Sequence, residues 1–483
     1  MILVFDFGTT TIKAALFNDD GGIESTMAVP IRLLPAEEPI VHEVDPAQWL
    51  GAMKTLCAAL LPRGASEVQA MVVSGNGPTI VVVDSGGRPL RPAITWLDRR
   101  GPAEAQFVRE RCGVFVDPSF YLPKILWLKN NEPDNYQRTL HFLSCPGYIA
   151  YYLTGEAAMV FPGEGLENLV WTGQMIRDLE LDERKFPRYV EFGHPLGTVT
   201  NAAAAALGLR KGIQIFAGGP DFMMSILGTA AVKPGRACDR AGTSEGVNVC
   251  SNRRIHDERL LCYRHIVPDL WNVAGIISTS GKALEWYGES LLGGTVSYEK
   301  LDTMAAQAAP GARKLIFLPY LSGERTPIWD FHARGVFLGL ALHHGTADLA
   351  RAVMESTGFA IKDVLCAMDE NGIETEELTI AGSPAKSRVW NRMKADITGK
   401  RILVPENLES ELVGDMCIAM HRLHKYPSPA EAALELVKIK EVIEPDVANE
   451  RLYAELFEVY RQAYTQLKPV FLRLAGIETR RME

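Results

Sequence analysis

No Cys-x-x-Cys pair occurs in the chain. Its eight cysteines (57, 112, 145, 238, 250, 262, 366 and 417) stand singly, which argues against a zinc site or a disulfide framework and suits a reducing cytosol. Long runs of like charge are missing too. Fifty basic residues face 59 acidic ones, a net charge of −9, so neither nucleic acid nor an anionic membrane is an expected partner. No apolar stretch approaches the length of a membrane-spanning helix. The opening residues Met1-Ile2-Leu3-Val4-Phe5-Asp6 lack a basic start and meet an acid at position 6, so they read as a strand and not as a signal peptide. What is present is ordinary for a soluble globular protein: 47% hydrophobic and 23% charged residues. A length of 483 residues predicts two or three domains, each able to bury a full core.

The most informative stretch comes first. Residues 2–5 are apolar and run into Asp6, after which Gly8, Thr9, Thr10 and Thr11 lead to a second apolar run over 12–17. This predicts a β-hairpin with a hydroxyl-rich turn. Glycine lets backbone approach a ligand closely, and successive N–H groups with hydroxyls can cradle phosphate oxygens. Asp6 supplies the carboxylate that a hydrated Mg²⁺ on those phosphates needs. An ordinary hairpin with a polar turn reads equally well from this stretch alone.

Further along, 23–31 extends the meander, and 45–61 has helical spacing with Asp45 as N-cap and Pro46 at the first position. A buried strand over 68–73 is interrupted by Ser74-Gly75-Asn76-Gly77-Pro78, and 79–83 returns as a strand. That interruption is either a plain tight turn or polar backbone pushed out of a core strand. Residues 101–200 read as mixed and mostly helical. The strand 213–216 then runs through Ala217-Gly218-Gly219-Pro220-Asp221 into a helix over 222–232, and a glycine turn before a helix is a frequent ligand position. Taken locally, Asp221 reads as a helix cap.

At Gly242-Thr243-Ser244 the opening theme returns, which suggests a duplicated architecture cut near residue 235, giving domains 1–235 and 236–483. Leu349, Val353, Ile361, Val364 and Met368 mark a long amphipathic helix closed by Asn371-Gly372. The β-α-β-α succession from 378 to 419 predicts a mainly parallel, covered sheet. A final helix is expected over 449–475, with 476–483 frayed.

Together these segments resemble the FGGY family of carbohydrate kinases nearly end to end, in a pattern most like its xylulokinases. The matching pieces are Asp6-Phe7-Gly8-Thr9-Thr10, residues 89–99 with Trp96-Leu97-Asp98-Arg99, Gly218-Gly219-Pro220-Asp221, Gly242-Thr243-Ser244, residues 317–327, and Gly335-Val336-Phe337-Leu338-Gly339-Leu340 with Asp348-Leu349 and Glu355 downstream. The resemblance implies an α/β fold of two actin-like (RNase H-like) domains, with ATP and sugar meeting in the cleft between them. It further implies Mg²⁺ at Asp6, the transferred phosphate bracketed by Thr9 and Thr10 beside Gly8 and Thr11, and a second phosphate turn at Gly242, Thr243 and Ser244. Gly382 and Ser383 would form the adenosine turn, and Asp221 would be the general base on the sugar hydroxyl. Phosphoryl transfer needs mostly positioning and charge neutralisation, plus one carboxylate placed to take a proton, so the assignment is chemically coherent.

Departures fall around the sugar. The Met-His pair of xylulokinases is replaced by Gly77-Pro78, and the asparagine after the base is Phe222. The Arg-Glu of glycerol kinases is absent from the same loop, and their tyrosine near Pro118 is Ser119. Trp96 matches a tryptophan that packs on a substrate's carbon face, although core packing is an equal reading. Asn76, Gly77, Trp96, Asp98, Asp221 and Phe222 are the sugar-site candidates. The adenosine turn reads Ala381-Gly382-Ser383-Pro384-Ala385, and Asp415 replaces the usual alanine after Gly414; both departures bear on nucleotide affinity or base preference. The expected activity is ATP- and Mg²⁺-dependent phosphorylation of a pentulose such as xylulose in the cytoplasm, and a homodimer is compatible with it. Glycerol, another polyol or an aldonate is the alternative substrate. A chaperone of this fold would need a peptide-binding extension, and an idle sugar sensor would have lost Asp6, Asp221 or the Gly-Thr-Ser turn; neither condition is met.

Overall fold

The computed structural model describes residues 1–62, 64–294 and 296–477, and these form two compact units. The first unit comprises Met1–Gly228, Arg264–Pro268 and Ser410–Leu436, and the second takes the remaining described residues. Sequence order alone assigns 410–436 to the second half, yet it packs with the first. Of the end expected to fray, residues 478–483 lie outside the described residues.

In the first unit a six-stranded sheet runs in the order 195–198, 214–220, 70–75, 2–7, 11–17, 23–30. Strands Ile2–Phe7, Thr11–Phe17 and Ile23–Pro30 form an antiparallel meander, and Ala70–Gly75 pairs in parallel with the first of them. Gln214–Pro220 in turn pairs in parallel with Ala70–Gly75. The first strand is buried throughout because it is covered on both faces. Leu3, Phe5 and Phe7 pack with Trp49, Met53 and Leu56 of helix Pro46–Leu60. By the two-residue alternation of a strand, Asp6 points to the other face, where helix Ser410–Arg422 packs. Asp45 caps helix 46–60 as expected, accepting from the Ala47 N–H. Strand 70–75 runs two residues further than expected, so Ser74 lies in the sheet and not in a turn. A second sheet, ordered 43–44, 93–94, 80–83, 141–144, carries the loop that holds Trp96.

The second unit repeats the scheme. Ala237–Ala241, Glu245–Ser251 and Trp271–Ile277 form an antiparallel meander, Glu377–Ala381 pairs in parallel with the first, and Arg401–Pro405 in parallel with that. An antiparallel strand, Ile439–Ile443, follows. The sheet is therefore mixed, which corrects the expectation of a mainly parallel one. The β-α-β-α pattern governs only its later strands; the earlier ones pair antiparallel, with a further strand, Leu261–Arg264, at the outer edge beside Trp271–Ile277. Both units have a three-stranded meander continued by parallel strands on the side of its first strand. This is the RNase H-like arrangement, and it places the two glycine turns, 8–10 and 242–244, at equivalent hairpins. The long helix spans Thr346–Glu370 and the last spans Val447–Ala475.

Candidate active site

The first turn is held from behind by its own loops. A Cβ on Gly8 would lie 2.7 Å from the Thr11 carbonyl oxygen, so only glycine allows the chain to fold this tightly. The Trp96 indole N–H donates to Thr9 Oγ1 at 2.7 Å. The Trp96 backbone N–H donates to Thr79 Oγ1 at 3.2 Å, and that hydroxyl donates to Asn76 Oδ1. Asn76 Nδ2 closes the circuit on the Phe7 carbonyl at 2.7 Å. Two loops that sequence order separates, 76–79 and that of Trp96, are thus brought to one turn. Trp96 is half-buried with its N–H committed to Thr9, so its ring orientation is fixed beside the threonines.

Sequence reasoning missed Lys124. It is fully buried and donates to the Pro78 and Thr95 carbonyls, both at 2.7 Å. Burial pushes its ammonium down to about 7. The available signal was a lysine among Leu122, Ile125, Leu126 and Leu128 on a helix of buried apolar residues. Asp98 requires a correction. It is wholly buried, its carboxylate accepting from the Arg100 guanidinium at 2.6–3.1 Å and from the His42 N–H at 2.7 Å. Although burial opposes ionisation, those bonds together lower its pKa. Asp98 therefore braces the Trp96 loop and does not face a ligand.

Asp221 opens the helix Asp221–Gly228 and accepts from the Phe222 N–H at 2.6 Å. This contact places the Asp221 carboxylate at the first turn of that helix. Burial first, then the carboxylates of Asp6 and Asp221, push the buried Cys145 thiol well up. Strand register agrees: Phe7 and Pro220 pair on either side of Gly75, which brings Asp6 and Asp221 to the same end of the sheet. Beside them is an apolar cavity lined by Gly75, Gly77, Tyr121, Met159, Gly218 and Pro220. Phe222 is half-buried.

Asp415 lies in this unit, not with the nucleotide turns of the second. It is fully buried and accepts from Ser74 Oγ at 2.6 Å, and its Oδ1 crowds Gly218, where a Cβ would approach to 2.5 Å. Burial, with Asp6 and Glu411 nearby, raises its carboxyl well above the usual carboxylate range. The folded protein thus retains a proton that the unfolded chain releases above about pH 4. Stability should consequently fall as pH rises toward the folded pKa. Asp415→Asn keeps an acceptor for Ser74 and has no proton to lose. Its melting temperature, relative to the unmodified protein, should climb from pH 5 to pH 8; a constant difference would show that Asp415 is ionised throughout.

In the second unit the turn 242–244 joins strands paired Ala241 to Glu245. Thr243 is exposed, whereas Glu245 behind it is buried. Gly382 has φ +87°, and a Cβ there would fall 2.0 Å from the Ala241 carbonyl oxygen. The two expected nucleotide turns, 242–244 and Gly382-Ser383, are therefore neighbours. Among the described residues no group of three or more His, Cys, Asp or Glu could cage a metal ion. Mg²⁺ needs no such cage, since one or two carboxylates commonly hold it with water and phosphate oxygens, and Asp6 beside the threonine hydroxyls suits that mode.

Comparison with known proteins identifies the family. The family model for the N-terminal domain of FGGY carbohydrate kinases matches residues 1–228, and that for the C-terminal domain matches 240–423. A xylulose kinase of Staphylococcus epidermidis is 30% identical over 99% of both chains. Two solved structures from Lactobacillus acidophilus, each 22% identical and matching over 98% of this chain, share the fold. A ligand-bound xylulose kinase has a TM-score of 0.86 over 100% of its chain, and a gluconate kinase has 0.87 over 99% of its own. With family models matching both halves and a relative aligned from end to end, the chain belongs to the FGGY family of carbohydrate kinases and is itself a carbohydrate kinase that uses ATP.

Proposed function

We propose that this kinase transfers the terminal phosphoryl group of ATP, with Mg²⁺, to a terminal hydroxyl of a pentulose, xylulose being the first candidate. The observation that carries the proposal is the convergence of Asp221 and Asp6 beside the braced Gly8-Thr9-Thr10 turn. Asp221 takes the proton from the attacking hydroxyl. Thr9 and Thr10, with Gly8 and Thr11, bracket the phosphate. Gly242, Thr243 and Ser244 hold phosphate oxygens in the second unit, and Gly382 with Ser383 abuts the adenosine. Asp6 holds Mg²⁺, which when bound neutralises phosphate charge. Asn76, Gly77, Trp96 and Phe222 are the sugar-facing set, Asn76 and Trp96 acting partly by fixing the turn. Eight unbridged cysteines and the lack, among the described residues, of any helix long and apolar enough to cross a membrane support a cytoplasmic setting.

An aldonate or another polyol is the second reading, favoured by Gly77-Pro78 and Phe222 beside an apolar cavity. A site built to bond hydroxyls discriminates strongly, whereas an apolar wall gives about 1–3 kcal/mol per methylene-sized difference. D-xylulose should therefore be turned over without great preference. ADP release measured with D-xylulose, other pentuloses, gluconate, glycerol and pentitols tests this. A hundredfold advantage for D-xylulose would refute the weak-discrimination argument. No ADP release with any of them would refute the substrate proposal itself.

A further inference from the structure

Directly beneath the 242–244 turn lies a buried ionic cluster that the proposed chemistry does not use. Lys394 Nζ donates to Asp239 Oδ2 at 2.7 Å and to Glu245 Oε1, while Ser280 Oγ donates to Glu245 Oε2. All four side chains are buried. The groups facing Glu245 are Asp239 from the first strand of the hairpin, Lys394 from helix Arg388–Thr398, and Ser280 just before helix Gly281–Trp286. The same helix start grips the turn. The N–H groups of Ser280 and Lys282 donate to the Thr243 carbonyl at 3.2 Å, and that of Gly281 to the Gly242 carbonyl at 3.0 Å. A Cβ on Gly281 would sit 2.4 Å from the Gly242 oxygen. The turn's carbonyls, which would repel phosphate, are thereby drawn back into the protein.

The charge balance is informative. One ammonium faces two carboxyls in a site closed to water, and a single proton on the pair balances the charge there. Burial and Asp239 push Glu245 up to about 8. We propose that Asp239, Glu245, Ser280 and Lys394 form a positioning cluster that fixes the Gly242-Thr243-Ser244 turn for nucleotide phosphates, and that the shared proton keeps this cluster neutral, so nucleotide affinity falls when alkali removes it. The proposal rests on the reading of that turn as a phosphate site. Losing the proton leaves a net negative charge buried beneath a bound polyanion. Binding above the free-protein pKa then requires proton uptake, and affinity declines by up to about tenfold per pH unit.

The experiment is ADP binding by calorimetry from pH 7 to 9.5 on the full chain, paired with sugar KM and a thermal melt. The unmodified protein should weaken steadily above about pH 8. Glu245→Gln mimics the protonated acid and should bind within about twofold at pH 7 and stay flat. Lys394→Met should lose at least about tenfold in ADP affinity at pH 7 with sugar KM unchanged. Parallel pH profiles for Glu245→Gln and the unmodified protein would overturn the proposal, as would normal ADP affinity in folded Lys394→Met. Should Lys394→Met not fold, the Glu245→Gln profile decides alone. Thr243→Ala/Ser244→Ala separates the underlying reading: unchanged ADP affinity there removes the turn from the phosphate site, whatever Glu245 does.

Discussion

Asp221→Asn should leave the protein folded and slow turnover by at least about a hundredfold. Asparagine matches aspartate in size and caps helices about as well, so the helix Asp221–Gly228 keeps its start and its Phe222 contact. What disappears is the proton acceptor, and a general base typically contributes about 10²–10⁴-fold in rate. ATP affinity should change little, because the turns assigned to nucleotide lie at 242–244 and 382–383. Were Asp221 only a structural acceptor for the Phe222 N–H, turnover would stay near normal. A thermal melt and steady-state kinetics on one preparation separate the two outcomes.

A comparably large loss is expected where the helix bearing Asp221 meets helix Ser410–Arg422. A Cβ on Gly228 would lie 1.8 Å from the Ser410 carbonyl oxygen, and one on Gly414 would lie 2.1 Å from that of Met224. Ser225 and Ser410 hydroxyls bond across the same crossing at 2.6 Å. Two glycines thus let the backbones touch, and no rotamer change can relieve an added methyl against a carbonyl. Gly228→Ala or Gly414→Ala must force the helices apart. Overpacking costs about 1–3 kcal/mol and occasionally more, and backbone clashes belong at the upper end. About 3 kcal/mol corresponds to a melting-temperature drop of roughly 6–12 °C in a domain of this size. Displacing the helix also moves Asp221, and an ångström of misplacement can cost about 10²-fold in rate. Gly51→Ala is the control. It lies in a helix interior with nothing within 4 Å of its Cβ, and it should be neutral or stabilising by up to about 1 kcal/mol. Equal melting temperatures for Gly414→Ala and Gly51→Ala would show that the crossing is looser than described.

How legible each part was in the sequence follows from how local its cause is. The hairpin turns at 8–10 and 242–244 are written in adjacent residues, and the helix 346–370 in a regular apolar period, so both could be read directly. Asp98 was legible as part of a motif, but its role depends on Arg100 and the His42 backbone closing around it, which no motif states. Lys124 reaches carbonyls 46 and 29 residues away. Asp415 meets Ser74 across 341 residues, and that pairing exists only because the chain re-enters the first unit. Periodicity shows that a helix at 410–422 has an apolar face; it does not say which sheet will receive it. For the same reason the second sheet was misjudged, since its antiparallel strands precede the stretch from which parallel pairing was inferred.

That re-entry also sets a timetable for biosynthesis. The sheet face bearing Asp6 and Ser74 stays uncovered until Ser410–Leu436 has been made, about two hundred residues after Gly228. At translation rates of about 5–20 residues per second, the interval is roughly 10–40 s. During it, the first unit emerges with buried-type strands still open to solvent and cannot complete its fold. A nascent chain in that state is a natural client for chaperones. Ribosomal stalling or a premature stop anywhere before residue 436 releases an unfinished first unit rather than a functional half.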